Sequence, residues 1–433
     1  MKVLIQTVGG SDKPIVYSIK QCSPDFVVFI CTDTEGHERG SCETVNGDGL
    51  VCKERANSSC GYKEKEDRPS IIRQTGLKEN AYRIEIVEAD DPYDSYNKAE
   101  KLIAKYLAEG HQVIADYTCG TKSMSAGLVM ASVEHTECKL SLVTGPRLDL
   151  VRVRNGMERV SKIPVNLVYV KRQNALCQSL LREWDYVGAT KVLEEVSNYG
   201  YVENEVSFKR LLYICRAFAA WDRFDYRNAL PLIDLYKKDE YIVPYNETLK
   251  KINVTLDWHD SWKPEENKKP PGFMLVYDVL LNAERRAAQG NYDDAVNRIY
   301  RAVEMYAQFC LRIGNPRLTS DDLDISLLPE NCRDYYAAKR GATNKVQIAL
   351  TDDYNLLADL KNPVGEVWNK WRGRIIAVLS KRNFSFLAHG MIPLTEKDYQ
   401  DVKSVIWAFV EECDTALGLK EDLEQARQLP QKI

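Results

Sequence analysis

The chain has no apolar stretch as long as a membrane span, no Cys-x-x-Cys pair, only five histidines in 433 residues, and a net charge of only −4. Each shortage excludes something. Without a run of about 20 apolar residues there is no membrane-spanning helix to place. With so little net charge, no global field draws nucleic acid to the molecule, and such contact must come from a local basic surface. Met1-Lys2-Val3-Leu4-Ile5 is a short apolar run without a signal-peptide pattern. The twelve cysteines are scattered, many in apolar surroundings such as Cys31, Cys177, Cys215 and Cys310. That usage suits a reducing cytoplasm, the expected location, rather than a disulfide framework. Cys31, His37, Cys42, Cys52 and Cys60 lie close in sequence, but spacings of nine and seven residues between the last three cysteines are poor for zinc. A polar insertion with incidental thiols is the expectation, and no metal site is assigned.

What is present divides the chain. Over the first 165 residues, short apolar runs alternate with helical patterns. Strands are expected at Val3 to Val8, Asp25 to Cys31, Arg83 to Val87, Val113 to Asp116 and Lys139 to Thr144. Pro14 opens a helix where its missing N–H costs nothing, Ser95 to Glu109 is amphipathic and closed by Gly110, and Lys122 to Glu134 is helical. Residues 32–65, rich in Gly, Ser, Asn and charge, read as an irregular excursion. This alternation predicts a Rossmann-like α/β domain with a parallel sheet. From about residue 166 the patterns are helical. Three similar turn-then-helix openings start at Trp184, Phe224 and Gly290, but their unequal spacing establishes no solenoid repeat. A charged, proline-rich break from Trp262 to Gly272 predicts a helical linker over 166–272 and an all-helical terminal domain over 273–425.

Two loops follow strand ends of the predicted sheet. Thr7-Val8-Gly9-Gly10-Ser11 follows the first strand, and Asp116-Tyr117-Thr118-Cys119-Gly120-Thr121-Lys122-Ser123-Met124 follows the fourth. Open α/β sheets bind ligands at the carboxyl ends of strands, where helix N-termini present N–H groups. Glycine lets backbone approach a ligand, hydroxyls donate hydrogen bonds, and Lys122 supplies a point charge for phosphate. The second loop is not a Walker A loop, because Thr121 separates Gly120 from Lys122 and position 115 is alanine. No G-x-G-x-x-G follows the first strand, which excludes the usual dinucleotide fingerprint. The pair suggests a pocket for a phosphate-rich nucleotide. A purely structural strand-to-helix turn, with a capping threonine, stays open.

Near the C-terminus the chain reads Lys381-Arg382-Asn383-Phe384-Ser385-Phe386-Leu387-Ala388-His389-Gly390. Seven residues at about 100° each fall some 20° short of two helical turns, which predicts Arg382 and His389 on one helix face about 10 Å apart. A permanent guanidinium beside a group that titrates near neutrality is what phosphodiester cleavage uses. The plainer alternative is a surface arginine and a histidine at the negative end of a helix dipole. Lys370, Arg372, Arg374 and Lys381, with Trp368 and Trp371 among them, form either a local RNA track or solvated charges on a packed helix.

Taken together, Asp-x-Thr-x-Gly-Thr-Lys-x-Met on a Rossmann-like domain and a terminal Arg-x6-His resemble the CARF–HEPN ribonucleases of type III CRISPR systems. Tyr292-Asp293-Asp294-Ala295-Val296, continuing into Ile299-Tyr300-Arg301-Ala302-Val303-Glu304, is similar to the first HEPN helix of one CARF subfamily. Arg382-Asn383-x-Ser385-x-x-Ala388-His389-Gly390 is similar to its catalytic helix. Cys119 departs from the small residue that relatives often carry, and residues 32–65 have no certain counterpart.

The resemblance implies a sensor domain that binds cyclic oligoadenylate made during phage infection. That binding activates a HEPN domain to cut single-stranded RNA without a metal cofactor. It implies Arg382 and His389 as catalytic residues, with Asn383 as the polar residue of the motif. Thr7, Gly9, Gly10, Ser11, Asp116, Thr118, Gly120, Thr121 and Lys122 would line the ligand pocket. It implies a homodimer that pairs two Arg/His sets, and Asp116, Thr118 and Lys122 are plausible participants if the pocket also cuts its ligand. A non-enzymatic CARF regulator, and a toxin-type HEPN ribonuclease with another sensor ligand, remain as alternatives.

Overall fold

The computed structural model describes residues 1–33, 40–47, 69–145, 159–163, 166–198, 205–264, 266, 270–388, 390–419 and 425–433. The chain forms two compact units, Met1–Asn174 with Glu195–Glu203, and Ala175–Glu194 with Asn204–Ile433. No helix among the described residues is long and apolar enough to cross a membrane.

The first unit is built on strands β1 (Lys2–Thr7), β2 (Phe26–Cys31), β3 (Tyr82–Ile86), β4 (Gln112–Asp116), β5 (Lys139–Thr144) and β6 (Arg159–Ile163). Its helices are α1 (Lys13–Cys22), α2 (Cys42–Asn46), α3 (Ile71–Thr75), α4 (Pro92–Ala108) and α5 (Lys122–Glu134). The strand order is β3-β2-β1-β4-β5-β6. Side chains alternate across the two faces of the central strands. Val3, Ile5, Val28 and Ile30 face a layer that includes Leu102, Ile103 and Leu128. Leu4, Val27 and Phe29 face Ile15, Ile19 and Ile71 on the other side. Both faces are covered, which is why the strands read as continuous apolar runs.

Two differences from the sequence reading appear. A sixth strand, β6, closes the edge and pairs antiparallel with β5, so the sheet is mixed rather than wholly parallel. Its segment Arg-Val-Ser-Lys-Ile carries too little apolar character to stand out in a sequence pattern. Within residues 32–65, Cys42–Asn46 form a short helix that buries Thr44 and Val45. His37, Cys52 and Cys60 lie outside the described residues. Burial pushes the Cys31 thiol well above the usual range.

From residue 166 the chain is helical: α6 (Asn166–Arg182), α7 (Tyr186–Asn198), α8 (Glu205–Asp222), α9 (Tyr226–Asp234) and α10 (Val243–Asp260). They are followed by α11 (Met274–Ala288), α12 (Tyr292–Ile313), α13 (Glu330–Ala337), α14 (Leu350–Asp359), α15 (Pro363–Asn383) and α16 (Glu396–Leu417). The three similar openings share one geometry. Trp184, Phe224 and Gly290 take φ values of 56°, 64° and 77°. The next residue's N–H reaches back five positions in each: Asp185 to Leu180, Asp225 to Ala220 and Asn291 to Arg286, all at 2.9 Å. This is the Schellman helix end, which satisfies carbonyls that the helix itself leaves unpaired.

A buried carboxyl marks the core of this unit. Asp353 on α14 is fully buried, and its Oδ1 accepts a 2.6 Å hydrogen bond from Ser320 Oγ. Desolvation first, then the charges of Glu304, Asp352 and Asp321, push its pKa up to about 8 against the hydrogen bond. The folded state therefore holds a proton that the unfolded chain has released above its ordinary pKa near 4. Stability from this group is full below pH 4 and is lost as pH rises toward 8. Asp353→Asn mimics the protonated form. Its melting temperature is expected to fall less than wild type's between pH 5 and 8, and to exceed it at pH 8. Parallel melting curves in calorimetry at the two pH values would refute this.

Candidate active site and sensor crevice

The sheet order sets the first site. From β1 the chain runs outward through β2 and β3, then returns to place β4 on the other side of β1. The carboxyl ends of β1 and β4 are therefore the switch point, where open α/β sheets leave a crevice. Both loops singled out in the sequence start there. They touch: a Cβ on Gly9 would lie 2.9 Å from the Gly120 backbone N, and one on Gly120, whose φ is +92°, 2.9 Å from Thr7 Cβ. Only glycine fits this approach and this φ.

The structure divides the predicted pocket residues into two groups. Thr7, Asp116 and Thr118 hold the loops from beneath. Thr7 is buried and donates its hydroxyl to the Cys119 carbonyl. Asp116 is 2% exposed; its carboxylate accepts from Ser18 Oγ at 2.6 Å, from the Thr118 N–H at 2.9 Å and from the Thr118 hydroxyl. Thr118 Oγ1 in turn accepts the Val143 N–H at 2.8 Å. The second group, Gly9, Gly10, Ser11, Gly120, Thr121 and Lys122, lies at the surface, with Gly10, Ser11 and Lys122 exposed. Thr121 caps α5, accepting from Met124 N at 3.1 Å and donating to Ala89 O at 2.5 Å. The positive end of the α5 dipole thus opens beside Lys122, which favours an anion. Cys119 ties the loops together, its thiol donating to the Ser11 carbonyl at 3.7 Å. Burial, followed by the charges of Asp116 and Asp12, pushes that thiol up to about 12, so it stays protonated.

The second site lies at the end of α15. Its inner face, Val364, Val367, Trp368, Ile375 and Leu379, is buried. Trp368 stacks on Tyr354 with centroids 4.7 Å apart and donates to Asn355 Oδ1 at 3.0 Å, so it belongs to the core and not to an RNA track. Trp371 donates to Glu412 Oε2 at 2.6 Å, and Arg374 sits over its ring at 5.4 Å. Lys370 pairs with Glu412 at 2.9 Å, and Lys381 with Asp398 and Asp401 at 3.0 and 2.9 Å. The basic surface therefore narrows to exposed Arg372 and Arg374.

The expectation of one helix through Arg382 and His389 is corrected. α15 ends at Asn383, and residues 384–388 are turns. In a continuing helix Ala388 N–H would bond Phe384 O. Instead Ala388 N bonds Ser385 O at 3.1 Å, and Phe384 O accepts Ile392 N at 3.1 Å as the chain folds back. A Cβ on Gly390 would sit 1.9 Å from Phe384 O, so this return needs glycine. His389 lies outside the described residues. Asn383 is exposed at the helix end.

Arg382 is held from α12. Its Nε donates to Asn297 Oδ1 at 2.8 Å, and its guanidinium lies over the Tyr300 ring at 4.5 Å. The Asn297 amide is oriented in turn by donating Nδ2 to Asp293 O at 2.8 Å. Asp293 Oδ2 accepts the Leu394 N–H at 2.9 Å, gripping the far end of the returning loop. Asp293, Asn297 and Tyr300 fall at i, i+4 and i+7, one stripe of α12. One helix face thus fixes both ends of the segment that carries residues 382–394. The sequence reading singled out neither Asn297 nor Tyr300 as a site residue. The signal was their helical spacing within the Tyr292 to Glu304 segment.

Fold and site together define a two-part protein: a Rossmann-like domain with a switch-point crevice, and a helical domain with an arginine clamped at a helix end. Residues 264–412 match the family model described as the Csm6 HEPN domain. Over its full length the chain is similar to Enterococcus italicus Csm6 bound to cyclic hexa-2'-fluoro-hexa-dAMP, with TM-score 0.57, 14% identity and 98% of each chain covered. At that identity the likeness is one of fold. No curated protein matches the chain. The chain therefore shares its fold with Csm6, and its C-terminal part matches a Csm6 HEPN domain.

Proposed function

We propose that the protein is a cyclic-oligoadenylate-activated endoribonuclease of type III CRISPR antiviral defence. The observation that carries this reading is Arg382, held by Asn297 and Tyr300 beside the segment bearing His389, inside the stretch that matches a Csm6 HEPN domain. The sensor half is supported by the crevice at Gly9, Gly120 and Lys122, and by a fold neighbour solved with a cyclic hexa-adenylate analogue.

In the proposed reaction the RNA 2′-hydroxyl attacks the adjacent phosphorus, and the bond to the 5′-oxygen of the next nucleotide breaks. The products are a 2′,3′-cyclic phosphate and a 5′-hydroxyl. Arg382, with Nε engaged by Asn297, directs the rest of its fork at the phosphoryl oxygens as charge builds there. His389 moves the proton, and Asn383 orients substrate or imidazole. No step uses a metal ion. Each chain supplies one Arg/His pair, and two copies on a two-fold axis bring two pairs together. Phe384, Phe386, Leu387, Met391 and Ile392 are 57–83% exposed around this site, an apolar patch that a second copy covers. Asp116 and Thr118 are engaged beneath the loop, so no ligand-cutting step is assigned to them.

The test mixes the full chain with fluorescent single-stranded RNA, with and without cyclic tetra- or hexa-adenylate, in EDTA. Cleavage that requires a ring and persists in EDTA is expected. Ring binding without RNA cleavage would instead identify a regulator, and cleavage indifferent to rings a nuclease with another sensor ligand.

A further inference from the structure

Phe224 places an aromatic ring, 6.2 Å from that of Tyr226, at a backbone position that disfavours a bulky side chain. It sits at the left-handed position of a helix-ending turn with φ of 64°, where the matching turn before α12 carries Gly290 at 77°. Such backbone is costly for a bulky residue. In the remaining turn, Trp184 donates its ring N–H to the Leu429 carbonyl at 2.7 Å. Phe224 has no such polar anchor, and its side chain is 39% exposed. Its ring borders a cavity of about 410 Å³.

That cavity has an apolar floor, including Val279 and Met305, and a polar rim of Asp294, Asn297, Arg298 and Arg301. The Arg298 guanidinium lies over the Phe224 ring at 4.9 Å and is fixed by Asp294 at 2.8 Å. The volume falls within the range of about 300–1,000 Å³ typical of small-ligand pockets. It suits a flat heterocycle with its sugar and is too small for a helix. An aromatic ring paired with a guanidinium plane is what an unstacked nucleobase rests on. The rim also reaches the reaction site, because Asn297 accepts the hydrogen bond from Arg382 Nε. A base seated here is therefore one side chain away from the arginine that contacts the scissile phosphate.

We infer that this cavity is a subsite for a nucleobase flanking the cleaved linkage of the RNA, with Phe224 and Arg298 as its stacking platform. The inference rests on the nuclease reading above and deepens it. The test uses the full chain, activated by cyclic oligoadenylate, on RNAs that each carry one abasic site. In wild type, one abasic position beside the cleaved linkage is expected to lower kcat/KM about tenfold. In Phe224→Ala that penalty should vanish, with intact RNA cut as slowly as wild type cuts the abasic RNA. An equal penalty in both proteins, or no sensitive position at all, overturns the subsite. If the variant melts early, wild-type protein is photo-crosslinked to uncleavable RNA bearing a photoreactive base. Adducts on peptides containing Phe224 or Met305 support the subsite, and adducts only elsewhere overturn it. An Arg382→Ala protein that still cuts RNA would sink the nuclease reading itself. Loss of cleavage in Arg382→Ala together with a flat abasic profile in wild type would sink only the subsite.

Discussion

Arg382→Ala is expected to lower ring-activated RNA cleavage by at least about 10³-fold, the upper end of what loss of one preorganised oxyanion donor costs. The side chain is half-buried and, among the described residues, makes one hydrogen bond and one ring contact, so the fold should survive its loss. Unchanged melting with activity lost is the predicted pair of readings. His389→Ala should reach a similar floor, because residues that act as a unit do not add. Asn297→Ala separates positioning from charge. It leaves the guanidinium charge but releases its Nε, so kcat should drop further than KM changes. Undiminished cleavage by either Arg382→Ala or His389→Ala would remove the assignment of both.

The second large effect lies at the crevice. Gly120→Ala is expected to shift activation to higher ring concentrations by the factor that binding loses, while the helical site itself is untouched. The added Cβ would meet Thr7 Cβ at 2.9 Å, and φ of +92° is strained for any L side chain. Strain of this kind costs about 1–3 kcal/mol, which the loops can relieve only by separating. Ring binding measured by calorimetry should weaken by about 5- to 150-fold, the same energy expressed as affinity. If Gly120→Ala binds and responds to rings like wild type, the crevice is not the sensor.

Much of the fold was legible because it is written in local patterns. Five strands showed as apolar runs bounded by turn residues, and their ends agree with the structure to within a residue or two. β6 was not legible, since a short edge strand with charged residues has no distinctive period. The two loops were legible from their glycines and hydroxyls. Their division of labour was not: Asp116 and Thr118 look as available for a ligand as Lys122, until Ser18 and Val143 are found bonded to them. The Arg-x6-His spacing was read as continuous helix because 3.6-residue periodicity fits it. What ends the helix is Ile392 N–H taking the Phe384 carbonyl, a contact with a residue beyond the pattern.

The amino-acid sequence by itself determined five of the six strands and the main helical segments, that loops rich in small residues end β1 and β4, and that Arg382 precedes His389 by seven positions. These follow from side-chain chemistry read over a few neighbouring residues. Only the tertiary structure decided that β1 and β4 lie side by side, that Trp368 is core, and that Asn297 grips an arginine 85 residues away. Packing of distant elements chooses such partners, and no local period carries that information, because a hydrogen bond depends on distance in space and not along the chain.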